Sequence, residues 1–323
     1  MATPGMLIMS NMAPGSLEQY TTYVKKAEER GLRNFLVTES FTDSLALAQH
    51  LASVTSKIQV GTGITNLYLR NPLIAALHAM TIDRLAPGRL LLGLGTSHVP
   101  LNSMFGIDMA KPLTALREYV QAVRNIFDGK DEAAAALGLP PMKADNKIPI
   151  YLAGISPKSI HLTGELADGS LPLNYAPHGL HEVVEGIATG AQEAGRSPAD
   201  VSIGLIMHCC VCADKAVALR SVRQTLSFYG RMPYYNRLFV RQGFEKEASG
   251  IMAAAEKNDM AAAAEAVSEE MAEQVAALGS PQECQKKIEE FEQAGASYVI
   301  LYPTAIDGDY ERGVNAVLDA FGG

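Results

Sequence analysis

Residues 58–98 read IQVGTGITNLYLRNPLIAALHAMTIDRLAPGRLLLGLGTSH, and the rest of the chain is organised around this stretch. Two β-like runs, at 58–61 and 90–95, are joined by one apolar helical run that begins at Pro72. Parallel strands need such a crossover, because a tight hairpin cannot connect them. Small and polar residues follow both β-like runs, which lets the backbone come close to a ligand. A cofactor is therefore expected at these strand ends.

The same alternation of β-like and helical runs extends along the chain. The eight β-like runs are 6–10, 34–38, 58–61, 90–95, 150–153, 170–173, 202–212 and 298–302. Strands that alternate with helices are parallel, and eight such units predict an α/β fold, a closed (β/α)8 or TIM barrel. This alternation of β-like and helical runs is interrupted at about 229–279, after the seventh β-like run. We therefore expect a single barrel domain over residues 1–323, with a helical insertion at that point.

Two predicted helix starts match the capping box, in which a serine and a residue three positions later bond each other's backbone N–H. One is Ser16 with Gln19. The other is Ser280 with Glu283, where Pro281 also suits the first helical position. Both pairs predict N-capped helices.

The charge and hydropathy of the chain exclude several classes of partner. The net charge is −8, and there is no run of Lys or Arg. This argues against nucleic acid or an anionic membrane as the main partner. No window of about 18 apolar residues is present to span a membrane, and the N-terminal segment lacks the basic start of a signal peptide. We expect a cytoplasmic protein that acts on a small molecule.

The four cysteines predict no metal site. Cys209, Cys210 and Cys212 lie in one β-like run, and Cys284 lies far from them in sequence. A zinc site needs two spaced pairs or a matching pair of histidines. We expect these cysteines to be small buried residues of the strand and its neighbours.

Titratable side chains are few at the predicted mouth of the barrel, where TIM barrels bind their ligands. His98 follows the fourth strand and Glu39 follows the second. A histidine at this position can act as a general acid or base near neutral pH, or it can make one structural hydrogen bond. Ser40 can hydrogen-bond a ligand or cap the helix that begins at Asp43.

Residues 153–159, AGISPKS, follow the fifth strand and open a helix. Backbone N–H groups and the helix dipole favour an anion at such a place, and Lys158 can add a contact. The same residues would also suit an ordinary loop whose serines cap the following helix. Because no Walker or GxGxxG motif is present, the local sequence leaves both interpretations open.

An aromatic cluster near the start of the insertion and one strand histidine also allow two interpretations. Tyr229, Tyr234 and Tyr235, with Arg231, can wall an apolar pocket, or they can pack a connection between helices. His208 lies inside an apolar strand, which favours a core histidine whose hydrogen bonds are satisfied.

Several motifs together resemble a known family. These are GTGITN at 61–66, Arg70-Asn71-Pro72, IDRL at 82–85 and Gly93-Leu94-Gly95. They resemble the bacterial luciferase-like flavin and deazaflavin oxidoreductases, and most of all the methylenetetrahydromethanopterin reductases and their coenzyme F420-dependent relatives. The similarity extends over most of the chain, including the AGISPKS loop.

The resemblance implies a barrel that binds a deazaflavin or FMN at its mouth. A cis peptide bond at Gly63–Ile64 is implied to form a bulge beneath the ring, and the backbone of the AGISPKS loop to hold the phosphate. The implied cofactor-binding residues are Thr38, Thr62, Gly63, Ile64, Thr65, Asn66, Gly95, Thr96, Ala153, Gly154, Ile155 and Ser156.

The catalytic residues depart from the pattern of the family. Relatives often carry an Asp-His pair where this chain has Glu39-Ser40, and often an acidic residue where His98 stands. We expect His98 to donate the proton that accompanies hydride transfer, with Glu39 and Ser40 as further catalytic candidates.

The resemblance implies an F420-dependent oxidoreductase that moves a hydride between the deazaflavin and a small organic substrate, with the redox chemistry supplied by the cofactor. One alternative is an FMN-dependent monooxygenase that uses O₂ and receives reduced flavin from a partner reductase. Others are a flavin-binding protein without turnover and a non-redox barrel enzyme that acts on a phosphorylated metabolite. We expect a homodimer or a higher homo-oligomer, as relatives tend to form.

Overall fold

The computed structural model describes residues 3–10, 16–130, 136–138 and 140–322. Its strands are β1 Gly5–Ile8, β2 Asn34–Val37, β3 Gln59–Thr62, β4 Thr65–Asn66, β5 Leu90–Gly95, β6 Ile150–Leu152, β7 Gly169–Ser170, β8 Ser202–Val211, β9 Ala277–Gly279 and β10 Tyr298–Pro303. Its α-helices are α1 Leu17–Glu29, α2 Ser44–Val54, α3 Pro72–Leu85, α4 Val99–Met104, α5 Pro112–Phe127, α6 Pro157–Leu166, α7 Leu180–Glu193, α8 Lys215–Gly230, α9 Pro233–Arg241, α10 Glu245–Glu256, α11 Met260–Glu265, α12 Glu269–Val275, α13 Pro281–Gln293 and α14 Tyr310–Ala320.

Eight of the strands close into a parallel barrel. Their order is β1-β2-β3-β5-β6-β7-β8-β10, and β10 pairs with both β8 and β1. The short strand β4 pairs with β5, and β9 pairs with the far end of β8. The closed parallel barrel confirms the predicted fold class. Among the described residues, no helix is both long enough and apolar enough to cross a lipid bilayer.

The interior of the barrel is filled by alternate residues of the strands, which point to one face of the sheet. These buried side chains are Leu7, Leu36, Leu91, Tyr151, Leu171, Ile206, Tyr298, Ile300 and Tyr302. The guanidinium of Arg33 lies 4.4 Å from the centre of the Tyr298 ring. This arrangement packs the end of the barrel opposite to the mouth.

Two helix starts show how local sequence controls the structure. At α13 the side chains of Ser280 and Glu283 bond each other's backbone, as predicted. At α1 the helix begins after Ser16, but the serine side chain makes no capping hydrogen bond. The capping box predicted there is wrong, because the Gln19 N–H donates to the Ser16 carbonyl at 2.9 Å and not to its hydroxyl.

The helices α9–α12 lie between the seventh barrel strand, β8, and the eighth, β10, where a helical insertion was expected. Their apolar faces pack against α8 and the end of β8 in a cluster of their own, which includes Phe239, Phe244, Ile251 and Met271. The insertion therefore lies over the carboxyl end of β8 and beside the mouth of the barrel.

Candidate active site

Three predicted cofactor-binding residues from three strand ends lie together at the mouth. The peptide bond between Gly63 and Ile64 is cis, as the resemblance implies. A Cβ on Gly95 would lie 3.0 Å from Ile64 Cγ1 and 3.5 Å from Ala153 Cβ. Gly95 thus leaves space between these neighbours that any other residue would reduce. The ends of β3, β5 and β6 therefore form one surface.

Two threonines predicted to contact a cofactor ring are fully buried in contacts with the protein. The Thr62 hydroxyl donates to the Gly93 carbonyl at 2.8 Å and accepts from the Gly93 N–H at 3.1 Å. The Thr65 hydroxyl lies 2.9 Å from Ser44 Oγ. These hydroxyls hold β3 and β4 against their neighbours, so their contribution to the site is its shape.

Thr38 has a similar place at the ends of β1 and β2. Its hydroxyl accepts a hydrogen bond from the Ser10 N–H at 2.9 Å and lies 3.3 Å from Ser10 Oγ. The side chain is partly exposed. Thr38 therefore connects the ends of β1 and β2, and part of the residue remains exposed at the mouth.

Glu39 is buried beside a guanidinium group. Both of its carboxylate oxygens accept hydrogen bonds from Arg70, and Oε2 also accepts from the Asn66 N–H at 2.5 Å. The side chains of Glu39 and Arg70 are 2% and 12% exposed. The carboxylate thus anchors the backbone that follows the cis peptide bond. The sequence did not indicate Arg70 as its partner.

Ser40, the neighbour of Glu39, is partly exposed, and its hydroxyl has no hydrogen-bond partner within the described residues. It does not cap α2, because Asp43 Oδ1 accepts from the Leu45 and Ala46 N–H groups at 3.0 Å each. Of the two roles predicted for Ser40, contact with a ligand is the one that this geometry leaves open.

A chain of buried amides joins the loop after β3 to the loop after β5. Asn66 Nδ2 donates to Asn102 Oδ1 at 2.8 Å, and Asn102 Nδ2 donates to the Thr96 carbonyl at 2.8 Å. Asn102 lies on α4, the short helix that begins directly after His98. This link fixes the segment that carries His98, and neither the link nor α4 was predicted from the sequence.

His98 lies among tyrosines of the insertion. Its Nδ1 is 2.6 Å from the Tyr234 hydroxyl, and the two rings stack with centroids 5.9 Å apart at 11°. Tyr235 and Tyr229 lie 5.9 Å and 6.3 Å from the same ring. Burial lowers the pKa of His98 to about 4, so the imidazole is uncharged at neutral pH. In this state the ring donates a hydrogen bond more readily than it releases a proton.

His208 is 2% exposed, as expected for a core histidine. It lies between Tyr229 and Tyr302, with ring centroids at 5.2 Å and 4.9 Å. Contrary to expectation, the hydrogen bonds of His208 are not all satisfied, because Nε2 has no hydrogen-bond partner among the described residues. Burial lowers the pKa of His208 to about 3, so this ring is also neutral.

The AGISPKS loop has the geometry of an anion site. A Cβ on Gly154 would lie 2.6 Å from Ser159 Cβ, so the loop folds closely on the helix start. The side chains of Ser156 and Ser159 form a capping box, which occupies the Ser156 N–H. The N–H groups of Gly154 and Ile155 have no acceptor among the described residues. They are free for a phosphate at the start of α6.

Helix α9 of the insertion contacts the loops after three barrel strands. Besides Tyr234, its last residue Arg241 donates to the Ile155 carbonyl at 2.6 Å. The next residue, Gln242, accepts from the Ala176 N–H at 2.7 Å and donates to the Asn174 carbonyl at 3.0 Å. Neither Arg241 nor Gln242 could be identified from the sequence, because nothing in their local pattern marks a contact with distant loops.

Metal-ligand geometry is not found in the described part of the chain, where no group of three His, Cys, Asp or Glu could hold an ion. The four cysteines are free thiols. Cys209, Cys210 and Cys284 are buried, and Cys212 is partly exposed. These side chains therefore belong to the packing around β8.

The chain is similar to known proteins over most of its length. The sequence model of the luciferase-like monooxygenase family matches residues 3–298. The 5,10-methylenetetrahydromethanopterin reductase of Methanolobus tindarius is 30% identical over 289 residues, with 86% of this chain and 88% of that protein covered. A putative coenzyme F420-dependent oxidoreductase of Mycobacterium tuberculosis is 26% identical over 318 residues, with 88% and 90% covered.

A solved structure shares the fold. The coenzyme F420-dependent tetrahydromethanopterin reductase of Methanopyrus kandleri superposes with a TM-score of 0.79. The match covers 99% of this chain and 98% of that one, at 24% sequence identity. At this identity the superposition shows a common fold.

Proposed function

Because the chain belongs to the luciferase-like monooxygenase family, we propose that it is a coenzyme F420-dependent oxidoreductase. It moves a hydride between the deazaflavin and a small organic substrate. The observation that carries this proposal is the similarity, over most of the chain, to proteins named as F420-dependent enzymes or methylenetetrahydromethanopterin reductases. The apolar surface and the unpaired backbone N–H groups at the barrel mouth are compatible with that activity.

The residues at the mouth fit the two ends of such a cofactor. The surface of Ile64, Gly95 and Ala153 is apolar and has little side-chain bulk, which suits a planar ring. The unpaired N–H groups of Gly154 and Ile155 suit its phosphate. When bound, the deazaflavin would supply the two-electron redox chemistry.

The protein contributes orientation and polarity. His98 offers a hydrogen bond to the substrate atom that gains negative charge as hydride arrives, an effect that is strong in a water-poor site. Glu39 acts through Arg70 and the Asn66 backbone and is therefore a positioning residue. Ser40 keeps an unpaired hydroxyl and is the second side chain that we assign to substrate contact.

An FMN-dependent monooxygenase is the second candidate, because the matching family model carries the description of a monooxygenase. The same surface of Ile64, Gly95 and Ala153 would accept an isoalloxazine ring. That activity needs O₂ and a partner that supplies reduced flavin. The two candidates thus differ in the cofactor bound and in the fate of O₂.

Equilibrium titration of the purified protein with F420 and with FMN tests the proposal. We expect micromolar binding of F420 and turnover of F420 or its reduced form with a substrate panel, at a rate that O₂ does not change. Tight binding of FMN with O₂-dependent product formation would favour the second candidate instead. Failure to bind either cofactor would contradict both.

Two further properties belong to the proposal. We propose a cytoplasmic location and self-association as a homodimer or a larger homo-oligomer. Exposed apolar side chains on one helix support the second point, since Leu73, Ile74 and Leu77 of α3 are 37%, 55% and 38% exposed. Sedimentation velocity over a range of protein concentrations measures the oligomeric state, and a monomer at micromolar concentration would contradict it.

A further inference from the structure

The ring of His98 has two nitrogens, and only one has a partner in the described structure. Nδ1 lies 2.6 Å from the Tyr234 hydroxyl, while no hydrogen bond engages Nε2. Tyr234 belongs to α9, and 136 residues separate it from His98. Because the two rings stack nearly parallel, at 11°, the contact is fixed by packing as well as by the hydrogen bond. In a neutral histidine, the partner of one nitrogen decides where the single proton sits.

The direction of this hydrogen bond follows from the acceptors around Tyr234. Its hydroxyl lies 2.6 Å from His98 Nδ1 and 3.0 Å from Met232 Sδ. A thioether sulfur is a weak acceptor, whereas an unprotonated imidazole nitrogen is a good one. The phenol proton therefore goes to Nδ1, and the imidazole proton must lie on Nε2.

The groups that face His98 keep it uncharged. The rings packed against it are Tyr229 of α8 and Tyr234 and Tyr235 of α9. Each is a neutral phenol, because burial raises the pKa of all three hydroxyls. No carboxylate in the described structure forms an ion pair with this histidine. An imidazolium at this place would be poorly solvated and would have no counter-ion among the described residues to stabilise it.

We propose that Tyr234 is a positioning residue that holds His98 in its Nε2–H tautomer. The site then presents an uncharged hydrogen-bond donor, which selects a substrate with a neutral acceptor atom such as a carbonyl oxygen. The role toward the substrate rests on the proposed oxidoreductase function, whereas the tautomer does not. Tyr234 acts only through His98 and need not touch the substrate.

Nitrogen-15 NMR of the wild-type protein, labelled at histidine, tests the tautomer without any cofactor. Assignment by comparison with the variant His98→Gln identifies the two signals of this ring. We expect a protonated Nε2 and an unprotonated Nδ1 that accepts a hydrogen bond. A protonated Nδ1 would overturn the proposal, whatever the protein binds.

The variant Tyr234→Phe removes the hydroxyl and keeps the ring. We expect its Nδ1 signal to move to that of a nitrogen without a hydrogen bond, and the titration midpoint of His98 to rise, because the neutral form has lost its donor. Tyr235→Phe is the matched control, since it removes a neighbouring phenol hydroxyl that has no hydrogen bond to His98. Its His98 signals should match the wild type.

Steady-state kinetics with F420 and a turned-over substrate test the role in the reaction. Tyr234→Phe should lower kcat about tenfold, the effect of one hydrogen bond in the transition state, and change KM less than twofold. Tyr235→Phe should keep kcat within about twofold. Equal kcat values for the two variants would overturn the positioning role. If Tyr234→Phe does not fold, the wild-type NMR result still decides the tautomer on which the role depends.

Discussion

Glu39 and Arg70 form a buried ion pair that also holds the backbone of Asn66 in place. The side chains come from the loops after β2 and β3, so the pair joins two strand ends at the mouth. Both charges are largely removed from water, and Arg70 is the ion-pair partner of Glu39, while Arg70 also lies 3.3 Å from the half-exposed Asp43 carboxylate. These contacts give Glu39 a structural role, which can be tested separately from a direct catalytic role.

The variant Glu39→Gln should destabilise the protein. It leaves the buried Arg70 guanidinium with only the half-exposed Asp43 carboxylate, 3.3 Å away, as counter-charge, so we expect a loss of about 3 kcal/mol in the free energy of unfolding. Urea denaturation measures this loss. The matched control is Asp145→Asn in the pair Arg84–Asp145, whose side chains are 61% and 60% exposed. The control should lose about 0–1 kcal/mol, and equal losses in the two variants would contradict the anchoring role.

The variant Thr62→Val tests whether Thr62 shapes the site from within the barrel wall. Valine has the same shape but leaves the Gly93 N–H without its hydroxyl partner, which should cost about 1–3 kcal/mol of stability. Thr22→Val is a suitable control, because its hydroxyl bonds the Glu18 carbonyl on an exposed helix face. That change should stay within about 0.5 kcal/mol. A loss of F420 affinity without a loss of stability in Thr62→Val would instead point to direct contact with the cofactor.

The variant Gly154→Ala should weaken cofactor binding. Its new Cβ would stand 2.6 Å from the Ser159 side chain, so the loop must move away from the start of α6. We expect F420 affinity to fall by at least about tenfold, or about 1.4 kcal/mol, as measured by fluorescence titration. The comparison is Ser156→Ala, which removes the cap and should lower stability by about 1 kcal/mol. An unchanged affinity in Gly154→Ala would remove this loop from the cofactor site.

Stability should fall in mild acid partly through two buried histidines. Burial lowers the pKa of His98 to about 4 and of His208 to about 3, whereas an unfolded histidine titrates near its usual value. The unfolded state therefore binds protons first, so the contribution is complete above about pH 6.5 and is lost as the pH falls toward 4. The groups that face the two rings are the phenols of Tyr229, Tyr234, Tyr235 and Tyr302.

Urea denaturation at several pH values between 7 and 4.5 measures this slope. His208→Gln should show a shallower loss of stability with acid than the wild type, because one of the two groups no longer titrates. The surface variant His181→Asn should keep the wild-type slope. Carboxylates whose protonation lowers stability in acid are the same in all three proteins. They contribute equally to the three slopes and do not affect the comparison. Parallel slopes in His208→Gln and the wild type would contradict the prediction.

The sequence predicted the elements whose pattern is long and regular. Strand β5 matches the predicted run at 90–95, because a fully apolar strand has a clear pattern. The sixth run, predicted at 170–173, has only Gly169–Ser170 as a strand, followed by a single bridge from Leu173 to Ile206. Strand β4 was missed, because two residues have no detectable period.

The site was predictable in position but not in its contacts. Strand ends and glycines located the mouth, and the resemblance located the cis bond at Gly63–Ile64. The partners Arg70 and Tyr234 could not be predicted, since Arg70 meets Glu39 through the pairing of β2 with β3, and Tyr234 meets His98 through the packing of the insertion beside the mouth. The low pKa of His98 depends on that same packing, which local sequence does not reveal.

Helix α9 and the residue that follows it touch the loops after β5, β6 and β7 through Tyr234, Arg241 and Gln242. Under the proposed function, this short segment would bear on substrate polarity and on cofactor binding at once. Divergence of this helix would alter both properties together, so new substrate ranges in descendants of this chain should arise with altered cofactor affinity. Engineers who graft an insertion from a relative should transfer the three recipient loops with it.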